Sequence, residues 1–200
     1  MSKSLIHPRM GALTVMILIA GAWRLFISGT HTPLHNFTPV GAMAIFGGCY
    51  YANRWKAYLV PLLTLWVSDI VLCYFIYYHK LVFFYEGFLW TYASFALMVF
   101  IGSFIRKVNV KNILLAGVGA ALAHWIITDF GVWAFGLDFT TGKPFTKDIQ
   151  GLLKCYALAL PYLKNMLMGN LVFGAVMFGA FEWAQRKYPW LQLSPQINAA

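Results

Sequence analysis

Residues 112–135 read NILLAGVGAALAHWIITDFGVWAF. A helix that crosses a bilayer needs about 20 mostly apolar residues, and this run supplies them, interrupted only by His124 and Asp129. The same reading finds five more runs. Met10 to Ile27 contains Arg24. Val40 to Ala52 is short, and Pro39 suits its first turn. Ala57 to about Tyr78 contains Asp69. Phe88 to Ile105 and about Pro161 to Ala184 complete the set. The expectation is an all-α, polytopic membrane protein with six transmembrane helices (10–27, 40–52, 57–78, 88–105, 112–135 and 161–184), forming one integral membrane domain over residues 1–200. A further apolar stretch, Ile149 to Leu160, is too short to span and is expected to lie at the interface or to re-enter.

Composition agrees with this reading. Of the 200 residues, 60% are apolar and 18% aromatic, and 10% are charged, against roughly 25% charged in an average soluble domain. Mean hydropathy is +0.67. These values exclude a soluble globular enzyme, a disordered tail and a nucleic-acid-binding module. Cys49, Cys73 and Cys155 lie far apart in apolar stretches and form no CxxC or zinc-finger spacing, so each reads as a small packed apolar residue.

The net charge of +9 is explained by where the charges fall. Lys3 and Arg9 precede span one; Arg54 and Lys56 follow span two; Arg106, Lys107 and Lys111 follow span four; Arg186 and Lys187 follow span six. These alternating segments hold nine of the fifteen Lys and Arg, which places both termini in the cytoplasm by the positive-inside rule. The 136–160 loop carries Lys143, Lys147 and Lys154 against Asp138 and Asp148; long loops are less bound by the rule, so it is kept outside. The basic start, apolar core and Ala20-Gly21-Ala22 resemble a signal peptide, but span one is read as a retained helix. Small residues cluster in span five (Ala116, Gly117, Gly119, Ala120, Ala121, Ala123) and span six (Gly169, Gly174, Ala175, Gly179, Ala180). They fit close packing inside the bundle or docking onto a partner membrane protein.

Ionisable groups at membrane depth cost about 2.5–3.5 kcal/mol each on insertion scales unless paired or wet. Arg24, Asp69, Asp129 and Lys164 all fall in the outer halves of their spans. They are expected to converge on a cavity opening outward, below the loops holding His31, His35, His79 and Lys143; the structural alternative is an Arg–Asp or Lys–Asp pair that holds helices together. His124, near mid-span, reads as a satisfied core histidine. Tyr74, Phe75, Tyr77, Tyr78, Phe83, Phe84, Tyr85 and Trp133 flank the outer side, as an interfacial belt, as the wall of a pocket for a large, flat ligand, or as both. The chain has no GxxxxGK[ST], HExxH, GxSxG or CxxCH. It is not expected to be an enzyme, and Asp69 and Asp129 do not sit in a sequence that argues for an aspartyl dyad.

Four segments carry a family resemblance: Asn36 to Gly48 (NFTPVGAMAIFGG), Leu65-Trp66-Val67-Ser68-Asp69, Thr128-Asp129-Phe130-Gly131-Val132-Trp133 and Pro161-Tyr162-Leu163-Lys164-Asn165. Together they resemble a family of small six-helix bacterial membrane proteins similar to the S components of energy-coupling factor (ECF) transporters. Within that group the chain is most similar to the solitary cobalamin-specific S components. The resemblance implies an S-component-like bundle in the bacterial cytoplasmic (inner) membrane. It also implies capture and uptake of a small nutrient on the outer side, with cobalamin or a related corrinoid as the leading substrate and no tightly bound cofactor required. In those relatives a cysteine after the third helix can ligate cobalt. Here the matching Tyr77-Tyr78-His79-Lys80 has none, and His79 is the candidate axial ligand, imidazole being a competent transition-metal donor.

The expected roles follow. His31, His35 and Asn36 close over the ligand. Asp69 and Tyr85 hydrogen-bond its polar rim. Asp129, Trp133, Lys164 and Asn165 line the far wall, with Asp129 pairing with Lys164. The partners implied are the small-molecule substrate, the bilayer, and either the ECF transmembrane and ATPase subunits or none. On the first helix, Ala12, Met16 and Ala20 hold the small-xxx-small spacing with an oversized middle member, which favours a solitary protein. No nucleic acid is expected. Uptake of another vitamin or a metal ion, a membrane enzyme acting on a lipid-soluble substrate, and an assembly subunit are the alternatives.

Overall fold

Short polar side chains set where the helices begin. Asn53, Asn109 and Asp148 each cap one, accepting from the amides of Lys56 (3.4 Å), Asn112 (2.8 Å) and Gly151 (2.7 Å) and so satisfying a first-turn donor that has no intrahelical partner. The computed structural model describes residues 8–28 and 36–192. Among them are six α-helices: α1 (Pro8–Ser28), α2 (Val40–Tyr50), α3 (Arg54–Leu72), α4 (Phe88–Ser103), α5 (Val110–Phe135) and α6 (Ile149–Lys187). A π-helical turn, Cys73–Tyr77, extends α3. A two-residue hairpin joins α5 to α6, pairing β1 (Leu137–Asp138) with β2 (Lys143–Pro144).

Four of these helices, α1, α3 with its π turn, α5 and α6, are long and apolar enough to cross a membrane. Their outward faces are apolar, with Val15, Leu18, Ile19, Phe26, Leu115, Ile126 and Val176 all exposed. Soluble monomers rarely leave contiguous apolar surface of that extent. The two remaining helices are shorter. The 11 residues of α2 reach about 16 Å, and the 16 of α4 about 24 Å.

α2 is the centre of the bundle rather than a wall of it. Every residue from Val40 to Gly48 is buried, and the helix packs against each of the other five. Glycine makes this possible. A Cβ on Gly48 would collide with the Val99 carbonyl, and one on Gly102 with the Ile45 backbone, so α2 and α4 touch backbone to backbone. Asn170 of α6 ties the centre together: its Nδ2 donates to the Gly117 carbonyl at 3.0 Å, and its Oδ1 lies against Gly41.

The 39 residues of α6 correct the expected boundary at Pro161. The stretch 149–160 does not form a separate re-entrant element; it is the first third of one continuous helix that runs through Pro161. Its face is held to α5 by Cys155 and Tyr156, whose Sγ and hydroxyl reach the Asp129 and Ile126 carbonyls at 3.4 and 2.8 Å. These tertiary contacts offset the one helical donor that proline removes. At about 58 Å, α6 is nearly twice the thickness of a bilayer core.

The ends of the bundle differ. At the basic end, Arg9 is buried rather than displayed. It donates to Gln185 (2.7 Å), the Leu191 carbonyl (2.5 Å) and the Tyr50 carbonyl (3.3 Å) and lies over the Tyr50 and Phe181 rings. The Tyr50 hydroxyl donates to Glu182 at 2.5 Å. At the opposite, loop end, Asp138 pairs with Lys154 at 2.5 Å and accepts from the Thr140 hydroxyl at 2.6 Å. These bonds hold its carboxyl below the usual carboxylate range. Asp148, accepting from Gly151 and Thr146, is likewise held low.

Candidate functional site

Of the three carboxylates within the described helices, Glu182 is held by Tyr50 at the basic end, while Asp69 and Asp129 belong to separate polar clusters with α4 between them. Asp69, buried on α3, is fully engaged. Its Oδ1 accepts from Arg24 at 2.6 Å and its Oδ2 from the Tyr92 hydroxyl at 2.7 Å, while Arg24 also donates to Ser68 at 2.5 Å. The cluster joins α1, α3 and α4. It uses both carboxylate oxygens and leaves only 16% of the Arg24 side chain and 7% of the Asp69 side chain exposed. Tyr85, in the loop before α4, sits near this pair, and burial together with Asp69 pushes its hydroxyl up to about 12.

The second cluster surrounds a cavity of about 100 Å³ at the loop end, lined by Asn36, Ala121, His124, Trp125, Thr128, Asp129, Tyr162, Leu163 and Met166. On α5 the spacing puts His124 and Thr128 one turn apart on one face, where the Thr128 hydroxyl donates to the His124 carbonyl at 2.7 Å. Asn36 enters from the segment before α2 with φ 66°, a left-handed conformation that asparagine tolerates well. That segment is seated on α6: Gly169 leaves room for the Thr38 backbone, and Phe37 packs on Phe173.

The proton on His124 is fixed by its neighbour. Ser94 donates its one hydroxyl proton to the Thr91 carbonyl at 2.6 Å. Its oxygen, 2.7 Å from His124 Nδ1, is therefore an acceptor, and Nδ1 carries the proton. Nε2 is left as an acceptor that no described residue engages. The Asp129 carboxylate is likewise without a hydrogen-bond or ion-pair partner among the described residues. Trp125 Nε1 is buried with no acceptor among the described residues, although its ring packs edge-on against Tyr156 at 4.8 Å.

The expected convergence of four charges on one cavity is therefore not seen. Tyr92 and Ser94, two residues apart, point about 200° apart around α4. One reaches Asp69 and the other His124, so the two clusters lie on opposite faces of that helix. The expected Asp129–Lys164 pair is also absent: the ion pairs among the described residues are Arg24–Asp69 and Lys154–Asp138. α6 turns Leu163 and Met166 to the cavity. Lys164 is rotated by at least about 100° from either and is exposed.

The other candidate residues are dispersed. Trp133 is held in the α5–α6 corner, donating from Nε1 to the Thr146 carbonyl at 2.9 Å, with Lys147 over its ring and on its carbonyl. Asn165 is half-buried on α6. His79 is exposed in the loop after the π turn, with φ 52°. Tyr78 beside it borders a shallow groove of about 870 Å³ between the start of α4 and the end of α5. His31 and His35 lie outside the described residues. His124 is half-buried and bonded at Nδ1, as a core histidine would be, but it also lines the cavity. Ser94, Trp125, Thr128 and Tyr162 were not singled out by the sequence reading. Thr128 and Tyr162 adjoin Asp129 and Lys164 inside motifs that were, whereas Ser94 carries no sequence signal of its own.

Fold and cavity together define an α-helical bundle of membrane-spanning character, with one polar cavity wall carrying a carboxylate that no described residue engages. The chain belongs to the family DUF6580, a family of unknown function whose model matches residues 4–193. No curated protein and no solved structure matches it.

Proposed function

We propose that this protein crosses the bacterial cytoplasmic membrane six times with both termini inside, and that it captures a small nutrient on the outer side for uptake. The observation that carries this reading is the loop-end cavity. It holds a carboxylate and an imidazole nitrogen that no described residue engages, at a depth where unpaired polar groups are costly. The positive-inside rule supports the orientation, since Arg54, Lys56, Arg106, Lys107, Lys111, Arg186 and Lys187 all flank the other end. α2, at the buried centre, and α4, packed against it, complete six spans as short helices beside longer neighbours. Binding without chemistry is favoured over a membrane enzyme because Asp69 is neutralised by Arg24 and is separated from His124 and Asp129 by α4. A solitary protein is favoured over docking on an ECF module because Ala20 is buried in the bundle, so α1 does not present its small-residue spacing outward.

The test is uptake into proteoliposomes holding the purified chain, with mass spectrometry of the small molecules that co-purify with it. Accumulation that depends on Asp129 and His124 is expected. A protein that carries no small molecule, and vesicles that accumulate none, would refute the reading. A corrinoid remains the specific second reading. The groove of about 870 Å³ has the scale of a large flat ligand, and the His79 loop borders it. An ultraviolet–visible spectrum after gel filtration with cobalamin decides this: stoichiometric corrinoid bands that shift in His79→Ala support it, and a featureless spectrum removes it.

A further inference from the structure

We infer that the loop-end cavity takes a protonated primary amine, with Asp129 as its counter-ion. This rests on the uptake reading and names the ligand class of the same site. The wall groups that no described residue satisfies are mostly acceptors. Asp129 offers two carboxylate oxygens. His124 offers Nε2, because Ser94 fixes its proton on Nδ1. Thr128 offers the lone pairs of a hydroxyl whose proton is already given to the His124 carbonyl. An ammonium head has three donors and no acceptor, and so complements this set.

It also supplies the positive charge that Asp129 lacks. An isolated carboxylate in an apolar surrounding is strongly disfavoured, and a charge-assisted bond to an ammonium relieves that cost. The Trp125 Nε1–H, which has no acceptor among the described residues, and the side-chain amide of Asn36 are the donors on this wall and suit oxygens elsewhere on the ligand. Size sets a limit. An open-sided cavity of about 100 Å³ suits a small head group such as an aminoethyl head, with the rest of the ligand outside it. A metal ion is the weaker occupant, since no group of three His, Cys, Asp or Glu side chains is placed to hold one among the described residues.

The chemistry has two sources, a free small amine or the head of an aminophospholipid reaching in from the bilayer. The test is calorimetric titration of the full chain in phosphatidylcholine nanodiscs with ethanolamine. Ethylene glycol serves as the neutral control and tetramethylammonium as the cation without N–H donors. Saturable ethanolamine binding is expected, with both controls at least about tenfold weaker. Asp129→Asn should lose at least about tenfold in ethanolamine affinity while melting no lower than the parent, since it removes a charge that no described residue pairs. Nanodiscs containing phosphatidylethanolamine separate the sources: loss of ethanolamine binding assigns the site to the lipid head, and its persistence assigns it to a free amine.

Equal binding of ethylene glycol, unchanged affinity in Asp129→Asn, saturation by divalent metal instead, or no ethanolamine binding at all would overturn the inference. The uptake reading stands or falls separately. A neutral or anionic molecule that co-purifies and is accumulated by proteoliposomes leaves uptake intact and removes the amine. Amine binding without accumulation does the reverse.

Discussion

Replacing Arg24 by Met while leaving Asp69 in place is expected to destabilise the protein by about 3–5 kcal/mol, the range for a buried ion pair broken on one side. The structure places this pair at the upper end of ion-pair effects. Its side chains are only 16% and 7% exposed, so the discount for solvent that applies to surface pairs is small. The methionine fills much the same volume, so the loss reflects the stranded carboxylate rather than a cavity. Removing both charges should be milder: Arg24→Met with Asp69→Leu is expected within about 1.5 kcal/mol of the parent, since apolar replacement of a buried pair is often neutral. Tyr92→Phe removes one bond to Asp69 and should cost about 0.6–1.7 kcal/mol, the span measured for hydrogen bonds between membrane helices. The assay is reversible unfolding in mixed micelles followed by tryptophan fluorescence, with ligand binding measured on the same samples. A double-mutant cycle should give a coupling of at least about 1.5 kcal/mol. If Asp69→Ala folds with parental stability but loses ligand, Asp69 is a contact residue and the argument for a purely structural pair is wrong.

Three further expectations follow from other parts of the molecule. Gly102→Ala places a methyl into the Ile45 backbone; because neither helix axis can shift freely, a loss of about 1–3 kcal/mol is expected in the same unfolding assay, and a neutral result would show that α2 and α4 are less closely packed. Arg9→Ala removes the donor to the Leu191 carbonyl and to Gln185; at about 1.5–3 kcal/mol for a hydrogen bond to a charged group, the 189–191 turn should detach, and limited proteolysis should cut after Lys187 faster than in the parent. The Asp138 carboxyl has a folded pKa below its unfolded value, so its contribution to the hairpin is fully present above the usual aspartate pKa of about 3.9 and is lost as pH falls below that toward the folded value. Amide exchange at Thr140, whose N–H is 2.8 Å from Asp138 Oδ1, should therefore accelerate relative to an unstructured peptide below about pH 4, and Asp138→Asn should flatten that dependence.

Much of the architecture was legible before any contact was known, because hydropathy and charge are local properties. Apolar runs of bilayer length marked α1, α3 and α5 to within a few residues, whereas the polar first turns that Asn53 and Asn109 cap at the starts of α3 and α5 fell outside those runs. Where α6 begins was not legible. Pro161 reads locally as a helix start, and only the face presented to α5 by Cys155, Tyr156 and Ala159 carries the helix back to Ile149. Nor could the sequence show that α2 is a buried centre, since its short run of small and apolar residues is equally that of a thin span. The charges show the same division. The sequence by itself determined that Arg24, Asp69 and Asp129 would lie at costly depths and would need an explanation, because desolvation depends only on being inside an apolar run. Which of them would find partners was decided by the tertiary structure. α1 and α3 run side by side so that Arg24 meets Asp69, Ser94 and Tyr92 point to opposite faces of α4, and α6 rotates Lys164 away. Asp129 is thereby left facing a cavity, a result set by helix rotation and packing that no residue's own chemistry specifies.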